Sequence, residues 1–199
     1  MLYILLKYLI GPFLLLFWRP LVYGKENLYI QGKAIIVANH RSMADPILLS
    51  LITPRVIHYM AKKEIFKSKL GGLFFRSLFA FPVDRKKADL QSLKSALQVL
   101  NEGRIFGIFP EGKRAVTYEL DALERGAAFL AVRSGAPLIP VYIHPDSYRR
   151  CQPIVMVGKP LNVSNIVANA KKSELIEVVT DEIADAICAL RAELDEILC

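Results

Sequence analysis

Short apolar runs that alternate with segments of helical period constrain this chain most. Ala34–Ala38 reads as a strand and is followed by a helix over about Pro46–Ile52. Arg55–Ala61, Phe79–Val83, Ile105–Phe109, Leu138–Ile143 and Ile154–Val157 read as further strands. Between them, Leu90, Leu93, Leu97 and Leu100 recur at helical spacing up to Gly103, and a second helix over Leu123–Arg133 stops at Ser134-Gly135. A last helix runs from about Ser173, its stripe formed by Leu175, Val178, Val179, Ile183, Ala186, Ile187, Leu190 and Leu194. Strand–helix alternation predicts a single α/β domain with a mostly parallel central sheet flanked by helices. With 199 residues the chain can bury one real core and is short for two.

The N-terminus departs from this pattern. Fifteen of residues 1–18 are apolar or aromatic, the exceptions being Lys7, Gly11 and Pro12. Basic residues do not precede the run and no small-residue cleavage site follows it, so the segment is expected to be retained. It is shorter than the roughly 20 apolar residues of a span, carries a charge, and Gly11-Pro12 is expected to interrupt its helical ladder. The expectation is an apolar, membrane-anchoring helical segment over 1–20, interfacial or re-entrant in preference to a full span, ahead of a catalytic domain over 21–199.

Charge is equally uneven. The net charge is +7, and nine Lys/Arg against two acids fall between Arg55 and Lys87. Such a surface suits anionic lipid headgroups or a phosphorylated substrate. No nucleic-acid-binding signature accompanies it, and the neighbouring apolar segment favours a membrane. The odd set Cys151, Cys188 and Cys199 fits neither a metal knuckle nor a disulfide framework, and Cys188 is expected in the core. His58 and His144 lack ligand spacing and are expected to be structural, so no metal is expected.

Three polar clusters each follow an apolar strand, where parallel sheets collect their sites. In Asn39-His40-Arg41-Ser42-Met43-Ala44-Asp45-Pro46, the Asp45 carboxylate can fix the His40 tautomer and leave the other ring nitrogen to take a proton. Asp45 could equally be only a helix cap, with Pro46 at the first helical position or with Ser42 as cap and Asp45 third. In Phe81-Pro82-Val83-Asp84-Arg85, Arg85 is a candidate phosphate ligand and Asp84 a partner for a nearby base. In Phe109-Pro110-Glu111-Gly112-Lys113-Arg114, Gly112 permits a tight turn, Glu111 can accept from a hydroxyl or orient an arginine, and Arg114 can grip a phosphate with two parallel hydrogen bonds.

These three blocks, followed by Leu138-Ile139-Pro140-Val141, resemble in order the four blocks of the glycerolipid acyltransferases, most of all the bacterial 1-acylglycerol-3-phosphate acyltransferases. The resemblance implies a membrane-bound enzyme, peripheral or monotopic, with its catalytic domain on the cytoplasmic side of the cell membrane. It implies transfer of a fatty acyl group from acyl-CoA or acyl-carrier protein to the sn-2 hydroxyl of lysophosphatidic acid, with no cofactor beyond the donor. It further implies His40 as base, Asp45 as its orienting partner, and Arg85, Glu111, Gly112 and Arg114 as acceptor-binding residues. Two departures stand in the third block, where Lys113 and Ala115 replace the usual Thr and Ser; Arg125 replaces a frequent Lys. Lys113 keeps open another lysolipid or glycerol 3-phosphate as acceptor. A thioesterase, with water as acceptor, and a lipid-binding protein without catalysis are the rivals.

Overall fold

The computed structural model describes residues 2–84, 90–114, 120–149 and 152–199. Seven strands form one sheet: β1 (Leu21–Tyr23), β2 (Ala34–Ala38), β3 (Ile57–Lys62), β4 (Ala80–Val83), β5 (Ile105–Ile108), β6 (Leu138–Ile143) and β7 (Ile154–Val157). Their order is β1-β7-β6-β2-β5-β3-β4. β6, β2, β5, β3 and β4 run parallel. β7 reverses against β6, with Ile143 opposite Val155, and β1 runs parallel to β7. The expected α/β class and mostly parallel sheet are therefore present, with one reversed pair at an edge. β1 has only three residues, too few for a periodic signal.

Both faces of the sheet are covered, which explains why the central strands are apolar throughout rather than alternating. All five residues of β2 are buried, and they divide by the two-residue period of a strand. Ile35 and Val37 enter a core with α5 (Leu90–Asn101), α6 (Gly126–Ser134), the short α7 (Val163–Ile166) and α8 (Leu175–Leu198). Ala34, Ile36 and Ala38 enter a second core on the opposite face with α3 (Asp45–Ile52). Leu48, Leu49 and Ile52 of α3 are buried at helical spacing, and the helix ends at Thr53, extended because Pro54 disfavours the α conformation before it. Val179, Ile183, Ile187, Leu190 and Leu194 are the buried stripe of α8. Cys188 is not part of it: one step beyond Ile187, it is turned to the outside and exposed, which corrects the expected core placement. Cys151 lies outside the described residues.

The N-terminal segment is helical from Leu2 to Trp18, as α1 (Leu2–Leu5), a π-helical turn (Leu6–Ile10) and α2 (Gly11–Trp18). Gly11-Pro12 does not break it, contrary to expectation. The π-turn shifts the bonding by one residue, so Gly11 N–H reaches the Leu6 carbonyl, and Pro12 falls in the first turn of α2, where no N–H is needed. One side of the segment rests on the domain. Tyr3 is buried and its ring meets Phe79 edge-on at 5.6 Å. Lys7 Nζ donates to the Thr53 and Pro54 carbonyls. At Gly11 a Cβ would fall 2.8 Å from Leu51 Cδ2, so a larger residue there would make the Leu51 side chain shift. Leu15 and Trp18 pack on the α3-side core. The other side leaves Tyr8, Leu9, Phe13, Leu16 and Phe17 exposed, Phe13 by 72%. Among the described residues no helix is long and apolar enough to cross a membrane.

Candidate active site

His40 follows β2 by two residues, and Glu111 follows the adjacent β5 by three. Their strands are hydrogen-bonded neighbours, so the two blocks meet at the carboxyl edge of the sheet. Asn39 anchors the first loop: its side chain donates to the Ile143 carbonyl at 3.0 Å and accepts from the Ile143 amide at 2.7 Å, tying the loop to the end of β6. The His40 amide donates to Glu111 Oε1 at 2.7 Å, which ties it to the β5 turn.

Asp45 opens α3, but its carboxylate does not cap that helix; Ala44 is the N-cap residue, with no side-chain cap. The carboxylate turns back into the loop. Oδ2 accepts from His40 Nδ1 at 2.8 Å, from the Arg41 amide at 2.6 Å and from the Ser42 amide at 2.7 Å. Oδ1 accepts from the Tyr148 hydroxyl at 2.6 Å. Asp45 is fully buried. Two backbone donors and the phenol satisfy a carboxylate that burial would otherwise penalise. With those donors around it, Asp45 stands as the acceptor, so Nδ1 of His40 carries the hydrogen and Nε2 keeps its lone pair. Phe109 stacks on the imidazole at 4.3 Å and Tyr59 stacks on Phe109 at 6.2 Å, limiting rotation of the ring.

Glu111 is 4% exposed, and its Oε2 meets no donor with hydrogen-bond geometry among the described residues. Burial pushes its carboxyl above the usual range, against the His40 amide, the Asp121 amide and the Arg41 charge, which pull it back. Gly112 has φ +66°, the left-handed region, so the turn after Glu111 suits glycine. Lys113 pairs with Asp121 at 3.3 Å. Arg114 is exposed on the same turn. Asp84 pairs with Lys63 at 2.6 Å, a base from the end of β3. Arg85 lies outside the described residues. A groove of about 700 Å³ runs between these turns, lined by Met60, Asp84, Ile108, Phe109, Glu111, Gly112 and Lys113 among others. His40 is joined to its wall through Phe109.

The remaining histidines sit apart from this arrangement. His58 is buried beneath Phe79, and burial holds its imidazole below the ordinary range. His144 Nδ1 accepts from the Asp146 amide and caps a short 3₁₀ turn. Among the described residues no cluster of His, Cys, Asp and Glu could hold a metal ion. Sequence reasoning missed Tyr148 and the anchoring role of Asn39. Tyr148 is 103 positions from Asp45 and no local pattern connects them; Asn39 sat inside the first block, where a polar residue at a buried strand end was a signal to look for a backbone tie.

Fold and site define a class: an α/β protein with a buried His–Asp pair at the carboxyl edge of its sheet, beside an open groove. The family model described as Acyltransferase matches residues 19–144. The chain is 37% identical over 182 residues to the 1-acyl-sn-glycerol-3-phosphate acyltransferase of Bacillus subtilis (strain 168), covering 88% of this chain and 90% of that protein. It is 30% identical over 185 residues to the enzyme of the same name from Saccharomyces cerevisiae, covering 83% of this chain and 59% of that one. Its fold is similar to the crystal structure of the 1-acyl-sn-glycerophosphate (LPA) acyltransferase, PlsC, from Thermotoga maritima, with a TM-score of 0.69 at 22% identity over 94% of this chain and 81% of that one. The chain belongs to the acyltransferase family, and it is an enzyme of that class.

Proposed function

We propose that this acyltransferase moves a fatty acyl group from acyl-CoA or acyl-carrier protein to the sn-2 hydroxyl of lysophosphatidic acid, giving phosphatidic acid. The observation that carries the reading is the His40–Asp45 pair: Nδ1 is held at 2.8 Å by a buried carboxylate, so Nε2 is the proton acceptor. The names of the relatives supply the acceptor.

In the proposed reaction His40 Nε2 takes the proton of the sn-2 hydroxyl as its oxygen attacks the thioester carbonyl. Asp45 stabilises the imidazolium that forms. The tetrahedral intermediate collapses with cleavage of the C–S bond, and the imidazolium returns its proton to the departing thiolate. Phosphatidic acid and free thiol result, and no acyl-enzyme is needed. A general base is worth about 10² to 10⁴-fold, so positioning of the acceptor must supply much of the remainder. Arg114 and Arg85 are assigned to the acceptor's phosphate, Gly112 to the close approach of the turn, and Glu111 Oε2 to a glycerol hydroxyl. Glu111 also fixes the His40 backbone through its other oxygen.

The work is assigned to a membrane surface. The outward side of the N-terminal helix is apolar, and α4 (Lys69–Ser77) adds Leu70 and Leu73, exposed by 83% and 70%. Tyr3 of the N-terminal helix contacts Phe79, two residues after α4, so the two elements are neighbours. Lys69 and Arg76 of α4, with Lys62 and Lys67 ahead of it, suit anionic headgroups. An interfacial seat would deliver a lipid acceptor along the surface, with residues 1–20 as the anchoring part and 21–199 as the catalytic domain.

The test is an acyl-transfer assay across a panel of lysolipids and glycerol 3-phosphate, with acyl-CoA and acyl-carrier protein as donors, read by mass spectrometry. Lysophosphatidic acid should be preferred, and His40→Ala should abolish transfer while the protein stays folded. Fatty-acid release without an acceptor would identify a thioesterase, and retained transfer in the His40 variant would remove the base from the mechanism.

A further inference from the structure

Tyr148 has no place in the mechanism above, yet it reaches the centre of the site. It ends a 3₁₀ turn (Pro145–Tyr148) that follows β6. That turn is firmly held. His144 caps it, and the buried Ser147 hydroxyl donates to the Ile154 carbonyl at 3.2 Å and accepts from the Ile154 amide at 3.0 Å. The phenol therefore approaches Asp45 from a rigid support and hydrogen-bonds Oδ1 at 2.6 Å. Burial, then the Asp45 charge and the hydrogen bond to it, raise the Tyr148 phenol far above its ordinary range, so it remains a donor wherever the enzyme works. On its other flank, Trp18 meets the Tyr148 ring edge-on at 6.3 Å. Trp18 is the last residue of α2, the end of the helix whose outer side is apolar.

We propose that Tyr148 is a positioning residue for the His40–Asp45 pair, and that Trp18 backs it, so that the seating of the N-terminal helix bears on the geometry of the base. The inference rests on the acyl-transfer reading of that pair. Arg41 and Ser42 amides and the imidazole all pull on Oδ2, while among the described residues the phenol is the group that steadies Oδ1 against rotation of the carboxylate. A carboxylate that turns carries the imidazole with it, and a small misplacement of a base is costly to rate without weakening substrate binding.

The experiment uses the full chain in mixed micelles with oleoyl lysophosphatidic acid and oleoyl-CoA. Tyr148→Phe keeps the ring and the Trp18 contact but removes the donor. It should lower kcat about tenfold to a hundredfold, with both KM values within about twofold of the parent. Trp18→Leu should lower kcat in the same sense by a smaller factor, and the double variant should be no slower than Tyr148→Phe alone, since Trp18 acts through the phenol. In a parallel proton NMR spectrum, the low-field signal of the His40 Nδ1 hydrogen should be present in the parent, absent in His40→Ala, and broadened in Tyr148→Phe. Parental kcat, a change in KM alone, an additive double variant or an unaltered low-field signal in Tyr148→Phe would overturn the proposal. A parent that folds, shows the low-field signal and transfers no acyl group would instead overturn the acyl-transfer reading, and the NMR comparison would still decide the role of Tyr148.

Discussion

Substituting Asp45 in two ways separates its structural task from its chemical one. Four donors converge on this buried carboxylate: three at Oδ2 and the phenol at Oδ1. Asparagine has one acceptor oxygen, and only one orientation suits it. Its oxygen must take the Oδ2 position, because an NH₂ there would face the Arg41 and Ser42 amides. Its NH₂ then points at Tyr148, whose hydroxyl can turn to accept. Asp45→Asn thus keeps the frame at a cost of about 1–2 kcal/mol for the lost charge assistance. Alanine leaves all four donors without their acceptor, at about 3–5 kcal/mol after water reaches the partly exposed amides. In a chain of this size each kcal/mol moves Tm by about 2–4 °C. Asp45→Ala should therefore melt roughly 10 °C below the parent and Asp45→Asn only a few degrees below. Both should lose about 10² to 10⁴-fold in kcat, since neither can stabilise the imidazolium. Unfolding can be followed through Trp18, the single tryptophan, which contacts Tyr148. An Asp45→Ala variant within about 2 °C of the parent would refute the hydrogen-bond argument, and an active Asp45→Asn would refute the charge argument.

Three more outcomes are expected. The Glu111 carboxyl is held above its ordinary value mainly by burial, so the folded chain binds that proton more tightly than the unfolded chain. Its contribution to stability is present below that value and is lost as pH rises through the folded value. Glu111→Gln keeps an acceptor for the His40 amide but has no proton to lose, so its melting temperature should gain on the parent as pH rises from about 4.5 to 7; a constant difference would contradict this. Arg114→Ala should raise the acceptor KM roughly tenfold and leave the donor KM alone; equal effects on both would remove Arg114 from the phosphate. Phe13→Asp with Leu16→Asp, both outward on α2, should cut flotation with phosphatidylglycerol vesicles at least about tenfold; unchanged flotation would show that the helix is not the lipid contact.

Much of the fold was legible because its signals are local. Ala34–Ala38, Leu138–Ile143 and Ile154–Val157 are strands at the expected bounds, since buried strands are runs of apolar residues closed by polar or turn residues. What failed was non-local or balanced by a second effect. Nothing in Leu21–Tyr23 announces a strand, which exists because Pro153–Met156 offers it an edge. Gly11-Pro12 looks like a helix breaker until the preceding π-turn is known. Cys188 sits among stripe residues yet points away, because one residue on a helix is 100°. In the site, the block spacing pointed to His40, Asp45 and the Glu111 turn converging, and the sheet order brings them together. The tie from Glu111 to the His40 amide and the phenol on Asp45 are contacts across 71 and 103 positions, which no spacing rule reaches.

The reversed edge pair has a bearing on where lipid and chemistry can meet. Because β7 runs against β6, and β1 follows β7, Leu21 lies beside Ile154, level with the end of β6 where the 39–45 loop is tied. The chain therefore leaves the apolar helix and enters the sheet at the reacting edge. Were that pair turned to match its neighbours, the helix would join at the far edge, about 15 Å away across a strand of five residues. On the proposed membrane seat, a long-chain acceptor would then have to quit the bilayer to reach His40. With the pair reversed, the proposed membrane seat would let the acceptor's tail stay among other lipids while only its headgroup climbs to His40.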